Sequence, residues 1–342
     1  MTHPTSPTEP GTTEPETRAP GTIVPGTTAL TATGVNVRYR NRPILSDVSV
    51  AFGPGIHGVV GRNGVGKTTL LRVLAGHLRP AAGSVERPAA GERRGTAIAR
   101  VAADVRYAGA TVGKHLRVAA IGHPALDREL ALAIVDDAGV TASTRTKILS
   151  AGQRQLLSAA TALASGAAAI LLDEPFTGLD VERRLALRDR IIAVAAERPD
   201  LCLILTSHRS EDLAGLVDDV TVIHRGTEGP DHARVHGTDV PNHARDRNTD
   251  GARVTGPIPL DDARPRYPVL QGPTAAVDAI AGDATRIRAK SLGAISEITL
   301  GRPLTQSAMR RAGTENITVS MLSDGDLIDV LAMHGHTEGA ER

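Results

Sequence analysis

Aromatic residues are scarce in this chain of 342 residues, which has no tryptophan, two phenylalanines and three tyrosines. The hydrophobic core must therefore be built from alanine, valine, leucine and isoleucine. The single cysteine, Cys202, lies within an apolar run. A lone cysteine excludes a disulfide within the chain, and its surroundings favour a small core residue over a nucleophile.

Long apolar runs and an excess of charge of one sign are also lacking. No run approaches the roughly 20 residues that a transmembrane helix needs, and no basic segment followed by an apolar one opens the chain. The formal net charge is +1, which does not indicate a binder of polyanions, so we expect no nucleic-acid partner. We expect a cytoplasmic chain, soluble by itself, with about two domains.

The clearest motif is the segment 61–69, which fits the phosphate-binding pattern G-x-x-x-x-G-K-[ST]. A short apolar run, 56–60, precedes it, and a helical apolar face follows it and stops at Gly76. Glycines let successive backbone N–H groups curl around an anion, and the following helix adds its positive end. A chance glycine-rich turn would not fill every fixed position, so we predict a nucleotide site.

This loop also predicts individual roles. Lys67 would reach the β- and γ-phosphates, Thr68 would place its hydroxyl on Mg²⁺, and Thr69 would lie near the α-phosphate. The predicted nucleotide-binding residues of the loop are Gly61, Arg62, Asn63, Gly64, Val65, Gly66, Lys67, Thr68 and Thr69.

The residues before the loop divide into two parts. Residues 1–28 consist mainly of Thr, Pro, Glu and Gly, and we expect a disordered leader. From residue 29 onward, alternating apolar residues predict strands over 35–39 and 48–52, with a turn at 41–43. Tyr39 could stack on a purine ring or be a half-buried strand residue, and its spacing favours neither.

Residues 112–147 have a helical apolar period and predict a helical insert that extends to about residue 160. Inside it, residues 149–155 read Leu-Ser-Ala-Gly-Gln-Arg-Gln and open a further helix. A small turn at a helix N-terminus can bind an anion. Ser150 would equally serve as an ordinary N-cap, so the meaning of this segment depends on its neighbours.

Two apolar runs, 167–172 and 201–205, end in polar residues. The first ends at Asp173 and Glu174, and the second is followed by His208. Acidic residues at the carboxyl end of a buried parallel strand lie where open α/β sheets bind ligands. Asp173 would hold the water shell of Mg²⁺, and Glu174 would orient or deprotonate a water. His208 alone would be structural, but this series favours contact with a γ-phosphate.

Taken in order, these motifs resemble those of the nucleotide-binding subunit of ABC transporters over about residues 29–226. Residues 61–69 match the Walker A loop, 149–153 the signature motif and 170–174 the Walker B strand. The resemblance implies that Glu174 is the catalytic glutamate. The further roles that it implies are the switch histidine for His208, the D-loop for Asp180 and base stacking for Tyr39.

The resemblance also implies cofactors and partners. ATP and Mg²⁺ would be bound in a head-to-tail dimer, formed by two copies or with a second ATPase subunit. The signature segment of one subunit would then cover the ATP bound to the other subunit. The residues implied to contact that ATP are Ser150, Gly152, Gln153 and, from the D-loop, Asp180. Such a Mg²⁺-dependent ATPase would lie at the inner face of the membrane, through an integral membrane permease.

The chain departs from the family pattern at two places. Ala151 replaces the first glycine of the signature motif, which requires a negative φ at this residue. We expect altered transition-state assembly there, with ATP binding retained. The family also has a glutamine near the position of Ala103 and Asp104, and no glutamine lies between the P-loop and Gln153. Asp104 would be a substitute metal ligand. We expect the absence of the glutamine to affect coupling to a membrane partner.

The predicted fold class is α/β. It comprises a P-loop NTPase core with a mostly parallel central sheet, an antiparallel β subdomain and the helical insert. A linker over 227–268 and a small C-terminal α/β extension over 269–342 would follow. Acidic and apolar residues over 324–331 resemble the tail of exporter-type ATPase subunits.

Two functions remain open at this point. The first is an ATPase subunit that powers a separate permease, with export as the expected direction. The second is a soluble ATP-dependent switch or assembly factor without a transport role. Ala151 and the missing glutamine favour the switch, whereas Glu174, Asp180 and His208 argue against an inactive site.

Overall fold

A computed structural model describes residues 30–89, 98–101, 107–225 and 251–334. The expected leader over 1–28 and the positions of Ala103 and Asp104 lie outside the described residues. The strands are β1 (Leu30–Tyr39), β2 (Arg42–Phe52), β3 (Gly55–Val60), β4 (Ala82–Glu86), β5 (Ile98–Val101), β6 (Ala169–Asp173), β7 (Cys202–Thr206), β8 (Asp219–Arg225), β9 (Ala252–Pro259), β10 (Pro268–Pro273), β11 (Arg286–Leu292), β12 (Ile295–Leu300) and β13 (Thr318–Met321). The helices are α1 (Lys67–Leu74), α2 (Val112–Gly122), α3 (Arg128–Asp136), α4 (Ala151–Leu163), α5 (Val181–Glu197), α6 (Ser210–Leu213), α7 (Leu260–Ala263), α8 (Thr274–Ala281), α9 (Gln306–Thr314) and α10 (Asp324–His334).

The larger sheet has the strand order β4-β1-β2-β9-β8-β3-β7-β6-β5. Strands β8, β3, β7, β6 and β5 are parallel, whereas β1 pairs antiparallel with β2 and β4. This confirms the predicted P-loop NTPase core with a mostly parallel centre and an antiparallel β part. Since β3, β6 and β7 run in the same direction, the residues that follow them emerge at the same edge of the sheet.

Burial explains why the central strands form where they do. All five residues of β6 and of β7 are buried, which matches the continuous apolar runs that predicted them. Helix α1 packs on one face of the sheet with Leu70, Leu71 and Leu74 in its core, and α4 packs on the other face. The P-loop is thereby fixed between β3 and α1.

The expected helical insert is present as α2, α3 and the beginning of α4. Helix α2 is capped by Thr111, whose Oγ1 accepts from the Lys114 N–H, and α3 is capped by Asp127. No described helix is both long enough and apolar enough to span a bilayer.

The predicted linker over 227–268 is wrong for its second part. Residues 226–250 lie outside the described residues, but β9 pairs antiparallel with β8 inside the larger sheet. Leu260 and Ala263 of α7 are buried. The many Arg, Asp, Gly and Pro residues of this stretch suggested a linker, whereas backbone pairing with β8 and a few apolar contacts are sufficient to order it.

The C-terminal extension contains a second sheet with the order β11-β12-β10-β13, in which neighbouring strands are antiparallel. Its chain order is β-α-β-β-α-β, a ferredoxin-like arrangement. Helices were expected near 275–281 and 327–333, and they are α8 and α10. Leu327 and Leu331 of α10 belong to the same core as Leu213 of α6, and Asp324 Oδ2 accepts from the Gly215 N–H at 2.8 Å.

A buried ion pair connects β3 to β8. The His57 side chain is 5% exposed; its Nδ1 lies 2.8 Å from Asp219 Oδ2, and its Nε2 lies 2.9 Å from the Gly53 carbonyl oxygen. Both partners are acceptors, so the ring donates from both nitrogens as an imidazolium. Burial alone would lower the pKa of His57, but Asp219, assisted by Cys202, raises it from 6.5 to about 10.

This pair predicts a pH dependence of stability. A histidine whose pKa is raised in the folded state contributes fully below its unfolded pKa of 6.5 and loses that contribution as the pH approaches 10. We expect the free energy of unfolding to decrease as the pH rises from 6.5 to about 10, by at most about 1.4 kcal/mol per pH unit. Urea unfolding of the wild type and of His57→Gln across this range measures it, and equal pH slopes for the two proteins would contradict the assignment.

Candidate active site

An open cavity of about 650 Å³ lies where the P-loop meets the carboxyl ends of β6 and β7. It brings together most of the residues that the sequence predicted as a site. Those that line it are Tyr39, Asn63, Gly64, Gly66, Lys67, Thr68, Thr69, Glu174 and His208. It is also lined by residues to which no contact had been assigned, namely Ile44, Ala151, Gln155, Thr177 and Gly178.

The P-loop depends on glycine at Gly61 and Gly66. Gly61 has φ +152° and Gly66 has φ +132°, which side chains rarely adopt. A Cβ on Gly61 would lie 2.5 Å from the Ile223 carbonyl oxygen, and one on Gly66 would lie 3.0 Å from Leu45 Cδ2. Both glycines therefore allow the loop to lie against the sheet, between β3 and the first residue of α1, Lys67.

Lys67 is 7% exposed, and its Nζ donates to the Gly61 carbonyl oxygen at 2.7 Å. The same Nζ lies 3.7 Å from Glu174 Oε1. Burial lowers the pKa of Lys67 from its ordinary value, and the negative charges of Glu174 and Asp173 oppose that shift. The ammonium group is thus held at the loop, close to the acidic end of β6.

The acidic pair at the end of β6 is held by β7. Asp173 pairs with Thr206 in the sheet, and Asp173 Oδ1 accepts from Thr206 Oγ1 at 2.8 Å. The Glu174 N–H donates to the same Thr206 oxygen at 2.9 Å. Glu174 Oε2 lies 2.7 Å from His208 Nδ1. The two residues with proposed catalytic roles are therefore in direct contact.

The turn before α4 forms a complete capping box. Ser150 Oγ accepts from the Gln153 N–H at 3.1 Å, and Gln153 Oε1 accepts from the Ser150 N–H at 3.0 Å. Ala151 is the first residue of α4 and is not among the described residues with positive φ, so alanine fits this position. A Cβ on Gly152 would overlap the Gly178 carbonyl oxygen, which places the turn against the 174–180 loop.

The remaining predicted residues do not line the cavity. Among the described residues, Gly61, Arg62 and Val65 belong to the loop but are absent from its lining, and Asp173 is buried behind it. Ser150, Gly152 and Gln153 lie at the capped turn, and Asp180 caps α5 by accepting from the Arg183 N–H.

Substitution of Gly152 by alanine tests the close contact with Gly178. We expect the added methyl group to displace main chain and to lower the free energy of unfolding by about 1–3 kcal/mol. The matched control is Ala151→Gly at the exposed neighbour, which should change stability by less than about 1 kcal/mol. Thermal and urea unfolding measure the stability of both variants. A Gly152→Ala protein as stable as the wild type would contradict the close contact between Gly152 and the Gly178 carbonyl oxygen.

Two further residues of this site had no assigned role in the sequence. Thr206 joins Asp173 to the Glu174 main chain, and Gln155 Nε2 donates to the carbonyl oxygens of Asp173 and Glu174. Gln155 lies inside the 149–155 motif and Thr206 two residues before His208. Nothing local in the sequence indicates that either contacts residues 173–174, because these contacts join different elements.

The site also fits a magnesium ion bound together with phosphates. The described residues contain no group of three or more His, Cys, Asp or Glu suited to holding a metal by themselves. Thr68 at the cavity and Asp173 behind it offer the oxygen ligands that Mg²⁺ prefers. Mg²⁺ commonly takes one or two such ligands and completes its shell with phosphate and water.

Comparison with known proteins agrees with these motifs. Residues 45–177 match the family model described as ABC transporter. The chain is 33% identical over 199 residues to the aliphatic sulfonates import ATP-binding protein SsuB 1 of Rhodococcus jostii (strain RHA1), with 57% of this chain and 78% of that protein covered. It is 32% identical over 227 residues to the daunorubicin resistance ATP-binding protein DrrA3 of Streptomyces coeruleorubidus, with 58% and 66% covered.

A solved structure of an ATP-binding subunit of an ABC transporter is also similar, at 24% identity and a TM-score of 0.49, over 57% of this chain and 85% of that one. The chain spans just under two thirds of the length of DrrA3 and 78% of that of SsuB 1.

Proposed function

The chain belongs to the family of ABC transporter ATP-binding proteins, and from this membership we propose that it hydrolyses ATP, with Mg²⁺, to power a separate integral membrane permease. The observation that carries the proposal is the contact of Glu174 with His208 at 2.7 Å beside Lys67 of the P-loop. One cavity thus combines a phosphate-binding loop with an acid–base pair. The similar proteins SsuB 1 and DrrA3 are ATP-binding proteins, which supports the proposed nucleotide.

Each side chain has a proposed part in the reaction. The P-loop amides and Lys67 bind the phosphates, and Tyr39, which is 42% exposed at the cavity, stacks on the base. Glu174 orients a water or accepts its proton, and His208 holds the Glu174 carboxylate and reaches toward the γ-phosphate. Bound Mg²⁺, held by Thr68 and Asp173, would neutralise charge on the phosphates.

We further propose that two subunits form the complete site. Ser150, Gly152, Gln153 and Asp180 do not line the described cavity of their own chain, and Ser150 and Asp180 are exposed. A capped turn with these polar groups fits the γ-phosphate of an ATP bound to a second subunit. Dimerisation would thus add the ligands that one subunit lacks.

Export is the proposed direction of transport. It rests on similarity to a daunorubicin resistance protein and on the acidic and apolar helix α10. Similarity to an aliphatic sulfonate import protein favours import as the alternative. A soluble ATP-dependent switch is the second candidate function, favoured by Ala151 and by the absence of a glutamine between residues 70 and 152.

Purification from the native cell membrane tests this function. We expect the chain to be recovered at the inner membrane face with a bound permease, and to hydrolyse ATP only when Mg²⁺ is present. Recovery of an active ATPase with soluble partners alone would favour the switch. A purified chain that neither binds nor hydrolyses ATP would contradict both candidates.

A further inference from the structure

Gln155 lies one turn into α4, is 8% exposed, and contacts the end of β6. Its Nε2 donates to the Glu174 carbonyl oxygen at 3.0 Å and to the Asp173 carbonyl oxygen at 3.3 Å. Both partners are acceptors, so the orientation of the amide follows from chemistry. We propose that Gln155 is a positioning residue that holds the Glu174 carboxylate in place for catalysis, an inference that rests on the proposed ATPase function.

The main chain of Glu174 requires such support. Its φ is +51°, a left-handed conformation that is unfavourable for residues other than glycine. Residues in this region persist where their surroundings hold them. Thr206 Oγ1 accepts from the Glu174 N–H on one side, and the Gln155 amide binds the Glu174 carbonyl on the other. The Thr177 N–H also donates to this carbonyl oxygen, at 3.2 Å, so loss of the Gln155 donor removes the shorter of its two hydrogen bonds and the one that comes from another element.

A small change in the Glu174 backbone would move its carboxylate. The side chain lies 2.7 Å from His208 and 3.7 Å from Lys67, and both contacts depend on where the main chain places it. A misplacement of about 1 Å in an active site can reduce a rate about 100-fold. Gln155 therefore affects the rate of hydrolysis through its contact with the Glu174 main chain.

The same contact joins two parts of the site. Helix α4 begins with the capped turn that we propose to bind the ATP of the partner subunit, and Gln155 is part of the following turn of that helix. A shift of α4 upon phosphate binding at its first turn would pull on the Glu174 carbonyl. The Gln155 amide would thus connect the state of one ATP site to the catalytic carboxylate of the other.

The test compares Gln155→Leu with the wild type. Leucine keeps a similar volume and removes both donated hydrogen bonds, so we expect kcat for ATP to fall about tenfold to 100-fold. KM and the nucleotide Kd should stay within about twofold, because the P-loop and Lys67 are unchanged. The matched control is Thr161→Val on the same helix, whose hydroxyl donates to the Leu157 carbonyl and lies outside the cavity.

A second variant separates positioning from a structural role. Gln155→Glu keeps the length of the side chain but turns carboxylate oxygens toward two carbonyl oxygens, so both donated hydrogen bonds are lost. We expect its kcat to fall at least as far as that of Gln155→Leu. A loss of kcat that follows the melting temperature across the two variants would overturn the proposal.

The contact is also measurable without turnover. The ¹⁵N chemical shift of His208 Nδ1 reports its hydrogen bond to Glu174, and Gln155→Leu should change it while Thr161→Val does not. An unchanged shift and an unchanged kcat in Gln155→Leu would overturn the role of Gln155. A wild-type protein that lacks ATPase activity contradicts the proposed function instead, and the chemical shift then still decides whether Gln155 positions Glu174.

Discussion

Replacement of Glu174 by glutamine is expected to slow ATP hydrolysis by about 100-fold to 10,000-fold, the contribution typical of a general base. Glutamine keeps the size and the polar end of the side chain but has no charge and cannot accept a proton. In the wild type, Glu174 Oε2 contacts His208 Nδ1 at 2.7 Å, so the carboxylate is already oriented at the cavity. We expect the rate to fall because the attacking water would lose its proposed base.

ATP should remain bound in this variant. The P-loop amides and Lys67 are unchanged, and one negative charge near the phosphates is removed, so nucleotide affinity should equal or exceed that of the wild type. If the proposed dimer forms, it should persist with ATP in the variant, because hydrolysis no longer separates the subunits.

Single-turnover hydrolysis and equilibrium binding of ATP measure the two effects separately. Glu197→Gln, at the exposed end of α5, is the matched control and should hydrolyse ATP at the wild-type rate. A Glu174→Gln protein with an unchanged rate would remove Glu174 from the reaction. A large loss of affinity would show that this residue binds nucleotide.

The sequence predicted the elements of the site better than the contacts among them. Local patterns are sufficient for the P-loop, since Gly61, Gly66 and Lys67 lie within one short segment with a strand before it and a helix after it. The buried strands β6 and β7 were equally clear from their apolar runs. Their alignment at one sheet edge follows from parallel pairing, which brings Glu174 and His208 together.

Contacts between distant elements left no such pattern. Gln155 reaches the main chain of Glu174 from another element, and only the packing of α4 on the sheet creates this contact. Strand β9 was missed for a similar reason, because its pairing with β8 outweighs a composition typical of linkers. At Ala151 the requirement for a negative φ was predictable, and the structure meets it since the residue begins a helix.

Replacement of Lys67 by alanine is expected to abolish tight binding of ATP. Lys67 is the basic residue of the cavity wall at the P-loop, is 7% exposed and has its Nζ 2.7 Å from the Gly61 carbonyl oxygen. Loss of one member of a buried charge pair costs about 2–5 kcal/mol. This corresponds to an ATP Kd that is about 30-fold to several thousand-fold higher.

The acidic residues nearby increase this effect. Without the ammonium group, no lysine charge would offset the negative charges of Glu174 at the cavity and Asp173 behind it, and both charges would repel a bound triphosphate. The fold itself should be retained, because burial already lowers the pKa of Lys67 and its removal also removes the cost of burying a charge. We therefore expect Lys67→Ala to lose tight ATP binding with little change in its free energy of unfolding.

Calorimetric titration with ATP, with and without Mg²⁺, measures the change, and urea unfolding checks the fold. Lys114→Ala, at an exposed lysine of α2, is the matched control and should bind as the wild type does. Lys67→Arg should recover little affinity, since a planar guanidinium replaces a compact charge in a buried position. Wild-type affinity in Lys67→Ala would contradict the assignment of residues 61–69 as a phosphate-binding loop, because no other residue of that segment supplies a buried ammonium group.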